Sequence, residues 1–210
     1  LIDGGIVKRF NNLYQNIYKP EKIKACYYDV VHNTKSKRQV SQLQKKADIV
    51  LRNIYEELKN EKYVVGKYNI FVIYEPKQRI IVSQGMKDKI VNHLIAREIL
   101  YPALLPCLLP YNVASRPGMG TRKALEYMDR YRKEFSARSK KYYILKCDVS
   151  RFFLSIAHKI LKKKLRKRIK DAKALKIVFD VIDSHKSGIG IGSMTSQVLA
   201  IFYLNDMDHY

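Results

Sequence analysis

Asp148 is the carboxylate whose surroundings call for chemistry. It ends an apolar run, "YYILKCD" (142–148), and "VSRFF" follows it. A carboxylate where a buried apolar strand ends is costly unless its charge is compensated. A helix cap or an ion pair would do this, and so would ligation of a hard cation such as Mg²⁺, which takes carboxylate oxygens. A second cluster is "GIGIGSMTSQ" (188–197). Gly188, Gly190 and Gly192 remove side chains and let another backbone or a flat ligand come close. Ser193, Thr195, Ser196 and Gln197 then bring hydroxyls and an amide to a helix start, where free backbone amides attract phosphate. An ordinary capped helix explains the same residues. The dinucleotide-binding form of a glycine motif fails, because no strand of a βαβ unit leads in and no acid follows at the required distance. The third group is Lys77 and Arg79 in "YEPKQRII" (74–81). Two cations at and beside a turn can converge on phosphates, although exposed turns often carry Lys and Arg for no such reason. By themselves, Phe152 and Phe153 read as core.

The elements that must position these residues follow from hydrophobic period. "IVKRFNNLYQNIYKP" (6–20) predicts a short amphipathic helix ended by Pro20, and 33–38 a basic loop. Val40, Leu43, Ala47, Val50, Leu51, Ile54 and Leu58 stand at helical spacing, so 40–60 predicts one helix. Residues 67–82 change period: two partly alternating apolar runs flank "EPKQ", a hairpin signature. A helix over 87–104 follows, with Ile90, Val91, Leu94, Ile95 and Ile99 on its apolar side, before prolines 102, 106 and 110 interrupt the chain. Gly118 and Gly120 predict a turn and Thr121 a helix N-cap. Residues 142–153 predict a continuous apolar strand ending at Asp148. A lysine-rich helix comes next, with Ile160, Leu161, Leu165 and Ile169 inward. Strands and helices intermix, which indicates an α+β or α/β class.

Composition narrows the partner. With 47% hydrophobic residues the chain can build a core, while 41 Lys and Arg against 19 Asp and Glu give a net charge of +22. Such an excess favours a polyanion. No stretch approaches the roughly 18 apolar residues needed to cross a bilayer, and the first ten residues do not resemble a signal peptide. The absence of an initiator Met suggests a fragment or processed chain. Cys26, Cys107 and Cys147 are too few and scattered for a disulfide framework or zinc knuckle, and read as reduced, mostly buried thiols.

In order and spacing, the segments "YEPKQRIIVSQGMKDKIVNHLI", "LLPYNVASRPGMGT", "LKCDVSRFFLSI" and "GIGIGSMTSQVLAIFYLNDMDHY" together resemble the fingers-and-palm region of reverse transcriptases over about residues 60–210. The resemblance implies a right-hand polymerase fold of α+β class with a ferredoxin-like palm. It divides the chain into a basic helical extension (1–59), fingers (60–140) and a partial palm (141–210). The run Gly192 to Thr195-Ser196-Gln197 is most similar to diversity-generating retroelement enzymes, and Ile191 stands where intron and retroviral enzymes commonly carry Gln. Gly190 departs from the family, occupying a position where proline is usual. Group II intron, retron and defence-associated reverse transcriptases are the alternatives within the family. A non-catalytic nucleic-acid-binding module of the same fold is the alternative outside catalysis.

The resemblance also assigns roles. Asp148, with the backbone of Val149, would hold catalytic Mg²⁺, or Mn²⁺ in its place. Lys77, Arg79, Ser150, Arg151, Phe152, Phe153, Ile191, Gly192 and Gln197 would surround the incoming nucleotide, with Phe153 as the gate against a ribose 2′-hydroxyl. Arg116, Gly192, Ser193, Thr195 and Ser196 would touch nucleic acid. The implied partners are template RNA, DNA primer and product, dNTPs and a small basic accessory protein, with no membrane. The implied setting is the cytoplasm, with a bacterial or phage-encoded origin. The family's remaining catalytic carboxylates lie in a Tyr-x-Asp-Asp hairpin that these 210 residues do not contain. Truncation before that hairpin is the expectation, and with it an inactive fragment.

Overall fold

The computed structural model describes residues 9–76, 78–139 and 141–210. Lys77 lies outside them, as does the side chain of Arg79. Pro20 opens a helix instead of ending one: α1 (Pro20–Asn33) begins on it, after only a 3₁₀ turn at Tyr14–Asn16. Proline's fixed φ and missing N–H suit the first helical position, where an N–H has no partner anyway. The stretch expected to be one helix over 40–60 is two, α2 (Lys37–Lys45) and α3 (Ala47–Lys59), broken at Lys46, whose φ is −117°. The break redirects the chain so that Leu43, Ile54 and Leu58 all enter the same core. Ser36 caps α2 by accepting a hydrogen bond from the Gln39 amide.

The hairpin forms as its pattern predicts. Strands β1 (Asn69–Ile73) and β2 (Arg79–Ser83) pair antiparallel, with Asn69 opposite Ser83 and Ile73 opposite Arg79. A helical rod follows: α4 (Met86–Leu94), a π-helical segment (Ile95–Leu100) and α5 (Tyr101–Leu104). It is the axis of the molecule, since Ile90, Leu94, Ile95, Ile99, Leu100 and Leu104 are completely buried. Helix α6 (Thr121–Arg138) buries no residue, and its charges pair along its own surface, as in Arg138–Glu134 and Lys123–Glu126. After α7 (Phe152–Ser155), helix α8 (His158–Arg168) sends Leu161 and Leu165 inward, while Ile160 stays exposed. Helix α9 (Ala172–Asp183), which the sequence reading did not pick out, precedes α10 (Met194–Asp208).

The expected strand over 142–153 is the main correction. Residues 141–149 have no regular structure and are exposed, Tyr143 at 95% and Leu145 at 88%. An apolar, β-prone run becomes a strand only when a neighbouring strand accepts its backbone hydrogen bonds, and among the described residues no strand pairs with it. The sheet among the described residues is β1–β2 alone, so the molecule is mostly helical and α+β. One hydrophobic cluster, running from Leu13 to Phe202, draws on α1, α3, α4, α8, α9 and α10 together. Asp171 ties the amino-terminal segment to it by accepting from the amides of Leu13 (2.8 Å) and Tyr14 (2.9 Å) while capping α9 at Ala174 (3.1 Å). Cys26 is buried, Cys107 half-buried and Cys147 exposed, all as free thiols. Among the described residues no helix is long and apolar enough to cross a membrane.

Candidate functional site

Three stretches far apart in sequence enclose a cleft of about 550 Å³. One wall is the hairpin, through Gln78, Ile80 and Val82. Another is Arg151 to Leu154, and the third is Ile189 to Ile191. Strand geometry explains the first wall, because residues two apart share one face of a strand. The second is set by a sharp turn: Arg151 adopts a left-handed backbone (φ 49°), and its carbonyl accepts from the amides of Leu154 and Ser155 to start α7. Among the described residues no carboxylate lines the cleft, and Arg151 is the charged residue of its lining. Apolar walls with one cation suit a ligand that has a flat apolar part and an anionic part.

The glycines explain how the walls meet. Gly188 has φ +60°, and a Cβ there would stand 2.3 Å from the Phe153 carbonyl oxygen and 2.5 Å from Leu154 Cα. The Ile189 amide donates to that same Phe153 carbonyl (2.9 Å), and His158 Nε2 donates to the Gly188 carbonyl. At Gly190 a Cβ would meet the His185 ring at 2.5 Å. That ring stacks on Tyr68 at 4.8 Å, and burial, then the nearby His158, hold its pKa below the usual imidazole range. At Gly188 and Gly190, therefore, the space freed by the missing side chain is taken by protein. Gly192 differs: with φ +117°, a Cβ there would find the Val82 carbonyl oxygen at 3.7 Å and nothing nearer.

The hydroxyl run serves the helix start. Ser193 caps α10 by accepting from the Ser196 amide (3.0 Å) and shares hydrogen bonds with the hydroxyls of Thr195 (2.9 Å) and Ser196 (2.8 Å). Thr195 donates in turn to Asn92 Oδ1 on α4. Thr195 is fully buried and Ser196 nearly so, and their hydroxyls lie inside this network. Asn92, which the sequence reading missed, is the buried polar anchor of α10 on α4, its amide nitrogen donating to the Asp88 carbonyl. An amide among the apolar residues of "IVNHLI" was the available signal.

The other expected site residues are distributed as follows. Phe152 and Phe153 pack edge to face and separate the main cleft from a second one of about 290 Å³. Gln197 faces that second cleft, exposed, and accepts a hydrogen bond from Ser115 (3.2 Å). Ile191 and Arg151 border the main cleft. Ser150 is exposed in the turn before Arg151. Arg116 donates to the carbonyls of Leu109 (2.8 Å) and Asn112 (2.9 Å), holding its own loop. Asp148 and Val149 are exposed on the unpaired segment. No group of three or more His, Cys, Asp or Glu able to hold a metal occurs among the described residues. A lone carboxylate does not make a Mg²⁺ site, so the residues present do not fit a complete one.

No protein-family model matches the chain, and no curated protein does. Solved structures do match. One is described as a partial Cas6-RT-Cas1–Cas2 complex, with TM-score 0.55 and 20% identity, covering 94% of this chain and 34% of the matched one. Another, described as a Cas6-RT-Cas1–Cas2 complex, has TM-score 0.55 and 20% identity, covering 94% of this chain and 22% of the other. The likeness is one of fold, shared with part of each matched chain. The chain spans about a third of one matched chain and about a fifth of the other.

Proposed function

We propose that the chain is the fingers and part of the palm of an RNA-directed DNA polymerase, and that the 550 Å³ cleft receives the incoming nucleotide. The observation that carries this reading is the meeting of the hairpin, the Arg151–Phe153 turn and Ile191 around one pocket free of carboxylates. Within it, Phe152 and Phe153 pack beside the sugar, Arg151 faces phosphate, and Gly192 leaves β2 and the nucleic acid room to approach. The role given to Lys77 and Arg79 in this reading, contact with the triphosphate, comes from the resemblance of their segment. The main-chain turn from Gly188 to Phe153 fixes the floor, so that a nucleotide binds in one orientation. Template RNA and a DNA primer lie along the basic surface, held largely through phosphates and released by salt.

Catalysis in this reading needs carboxylates beyond Asp148. The metals, Mg²⁺ or Mn²⁺, would stabilise the attacking and leaving oxygens, held by Asp148 together with the Tyr-x-Asp-Asp acids of a longer protein. The diversity-generating type is the assignment that Ile191 and Thr195-Ser196-Gln197 favour, with a basic accessory protein as partner. The test is primer extension on RNA by the longer protein with Mg²⁺. Extension is expected, together with its loss in Asp148→Ala, and persistent extension in that variant would refute the role of Asp148. Error spectra opposite template adenine should differ between the parent and Ile191→Gln. A second reading, a non-catalytic nucleic-acid-binding module, draws on the lack, among the described residues, of a group of three or more His, Cys, Asp or Glu able to hold a metal. Salt-sensitive RNA binding without extension would select it.

A further inference from the structure

Two helices turn a charged face to solvent, and they treat it differently. Helix α6 neutralises its own: Lys123 pairs with Glu126, Arg132 and Lys133 with Asp129, and Arg138 with Glu134. Helix α8, HKILKKKLRKR, has no acidic residue. Its cations divide by direction. Lys162 and Lys164, half-buried, are matched by Asp183 from α9 and Asp206 from α10. Lys159, Lys163, Arg166 and Lys167 are exposed and form no ion pair among the described residues. Spaced by three or four residues, these four share one face, opposite Leu161 and Leu165, which are completely buried. Lys170, also exposed, follows just past the helix. Arg9 is brought to the same end by the bridge between Phe10 and Ile169, its guanidinium donating to the Arg166 carbonyl (3.0 Å).

That row does not help the fold. Like charges four residues apart, as in Lys159 and Lys163 or Lys163 and Lys167, repel each other. Lys159 also stands in the first turn, where the helix dipole disfavours a cation. Arg166 lies against the Phe179 ring (4.8 Å), a contact that leaves its charge without a counter-charge. The row lines neither the main cleft nor the second one. We propose that the outer face of α8 docks the phosphate backbone of a base-paired nucleic-acid segment. Its eleven residues form a straight rod of about 16 Å. A duplex carries one negative charge per about 1.7 Å of its axis, so a rod of that length meets several phosphates at once. Helix α8 contains no Phe, Tyr or Trp. Single strands are held by stacking their bases on aromatic side chains within a basic groove, whereas a cationic rod offers contact to phosphates that base pairing already holds in rows. The surface lies outside the cleft and stands whether or not the chain polymerises.

The experiment measures, by fluorescence anisotropy over a salt series, how a labelled RNA duplex and one of its single strands bind the 210-residue chain. The same titrations are made with a variant carrying Lys159→Gln, Lys163→Gln and Lys167→Gln. Loss of three phosphate contacts should reduce the duplex slope of log affinity against log salt by about 2.7, at about 0.9 per contact. For the single strand the reduction should be smaller. Lys123→Gln, Lys133→Gln and Arg138→Gln on α6 together remove the same charge, and should change the duplex slope far less. The three α8 lysine side chains form no hydrogen bond or ion pair among the described residues, so their variant should melt no lower than the parent. Equal slope losses in the α6 and α8 variants, or a lower melting temperature of the α8 variant, overturn the site. Equal losses for duplex and single strand overturn the base-paired partner. Displacement of the duplex by poly-glutamate as readily as by unlabelled duplex, at equal charge, overturns nucleic acid in favour of an acidic protein. No arm measures extension, so failure here is separate from failure of the polymerase reading.

Discussion

Replacing Gly188 by alanine tests whether the glycine loop is built by close packing against Phe153. The left-handed backbone at φ +60° costs a residue with a Cβ about 1–2 kcal/mol. The new methyl group would lie 2.3 Å from the Phe153 carbonyl oxygen and 2.5 Å from Leu154 Cα, both main-chain atoms that cannot swing aside. Moving the loop away breaks the Ile189–Phe153 and His158–Gly188 hydrogen bonds, worth about 1 kcal/mol each. Together these give a loss of about 3–4 kcal/mol. The structure contains its own controls. Gly118 has φ +72° with nothing within 4 Å of where a Cβ would stand, so its alanine variant should lose only the backbone term. Gly190→Ala meets the movable His185 ring, and should fall between the two. In urea unfolding, with a slope of about 2 kcal/mol per molar, Gly188→Ala should lower the midpoint by about 1.5–2 M. A loss at Gly188 no larger than that at Gly118 would refute the packing argument.

Other consequences follow from the same contacts. Thr195→Val should cost about 2 kcal/mol by leaving Asn92 Oδ1 buried without its donor, seen as a melting temperature about 4–8 °C lower; an unchanged melt would contradict the network. Asp171→Ala removes the acceptor for three backbone amides, and should cost about 3 kcal/mol and expose residues 9–18 to limited proteolysis; equal protection in the variant would argue against the clamp. The pH dependence has a definite sign. The pKa values of His185 and His93 are lowered, chiefly by burial, so on acidification below about pH 6.5 the unfolded chain takes up protons before the folded one. Their contribution is intact above that value and is lost as pH falls toward the folded values. Urea midpoints at about pH 7.5 and about pH 5.5 should therefore decline on acidification, and a flat or rising profile would count against it.

How much of this was legible in the sequence depends on how local each feature is. The hairpin at 69–83, the helical rod through α4 and the cap of α10 at Ser193 were readable, because alternation, helical spacing and a capping hydroxyl are properties of neighbouring residues. The approach of Arg151, Phe153 and Ile191 to one cleft was foreshadowed only through resemblance, since no local pattern joins residues so distant in the chain. Pro20 could be read as an ending or as a beginning, and Asp171, far along the sequence, fixes the turn before it. The Thr195 and Ser196 hydroxyls looked like surface groups for a ligand, and Asn92, on another helix, draws Thr195 inward.

By itself, then, the sequence determined the charge, the helical and hairpin periods and the candidate motifs. Tertiary structure decided which faces of those motifs meet solvent. It assigned Gly188 and Gly190 to protein packing and left Gly192 open; it also left 141–149 exposed and without regular structure. The physical reason is common to these cases. Periodicity is written in successive side chains, but strand pairing and close backbone approach are settled by whatever atom arrives from elsewhere in the chain.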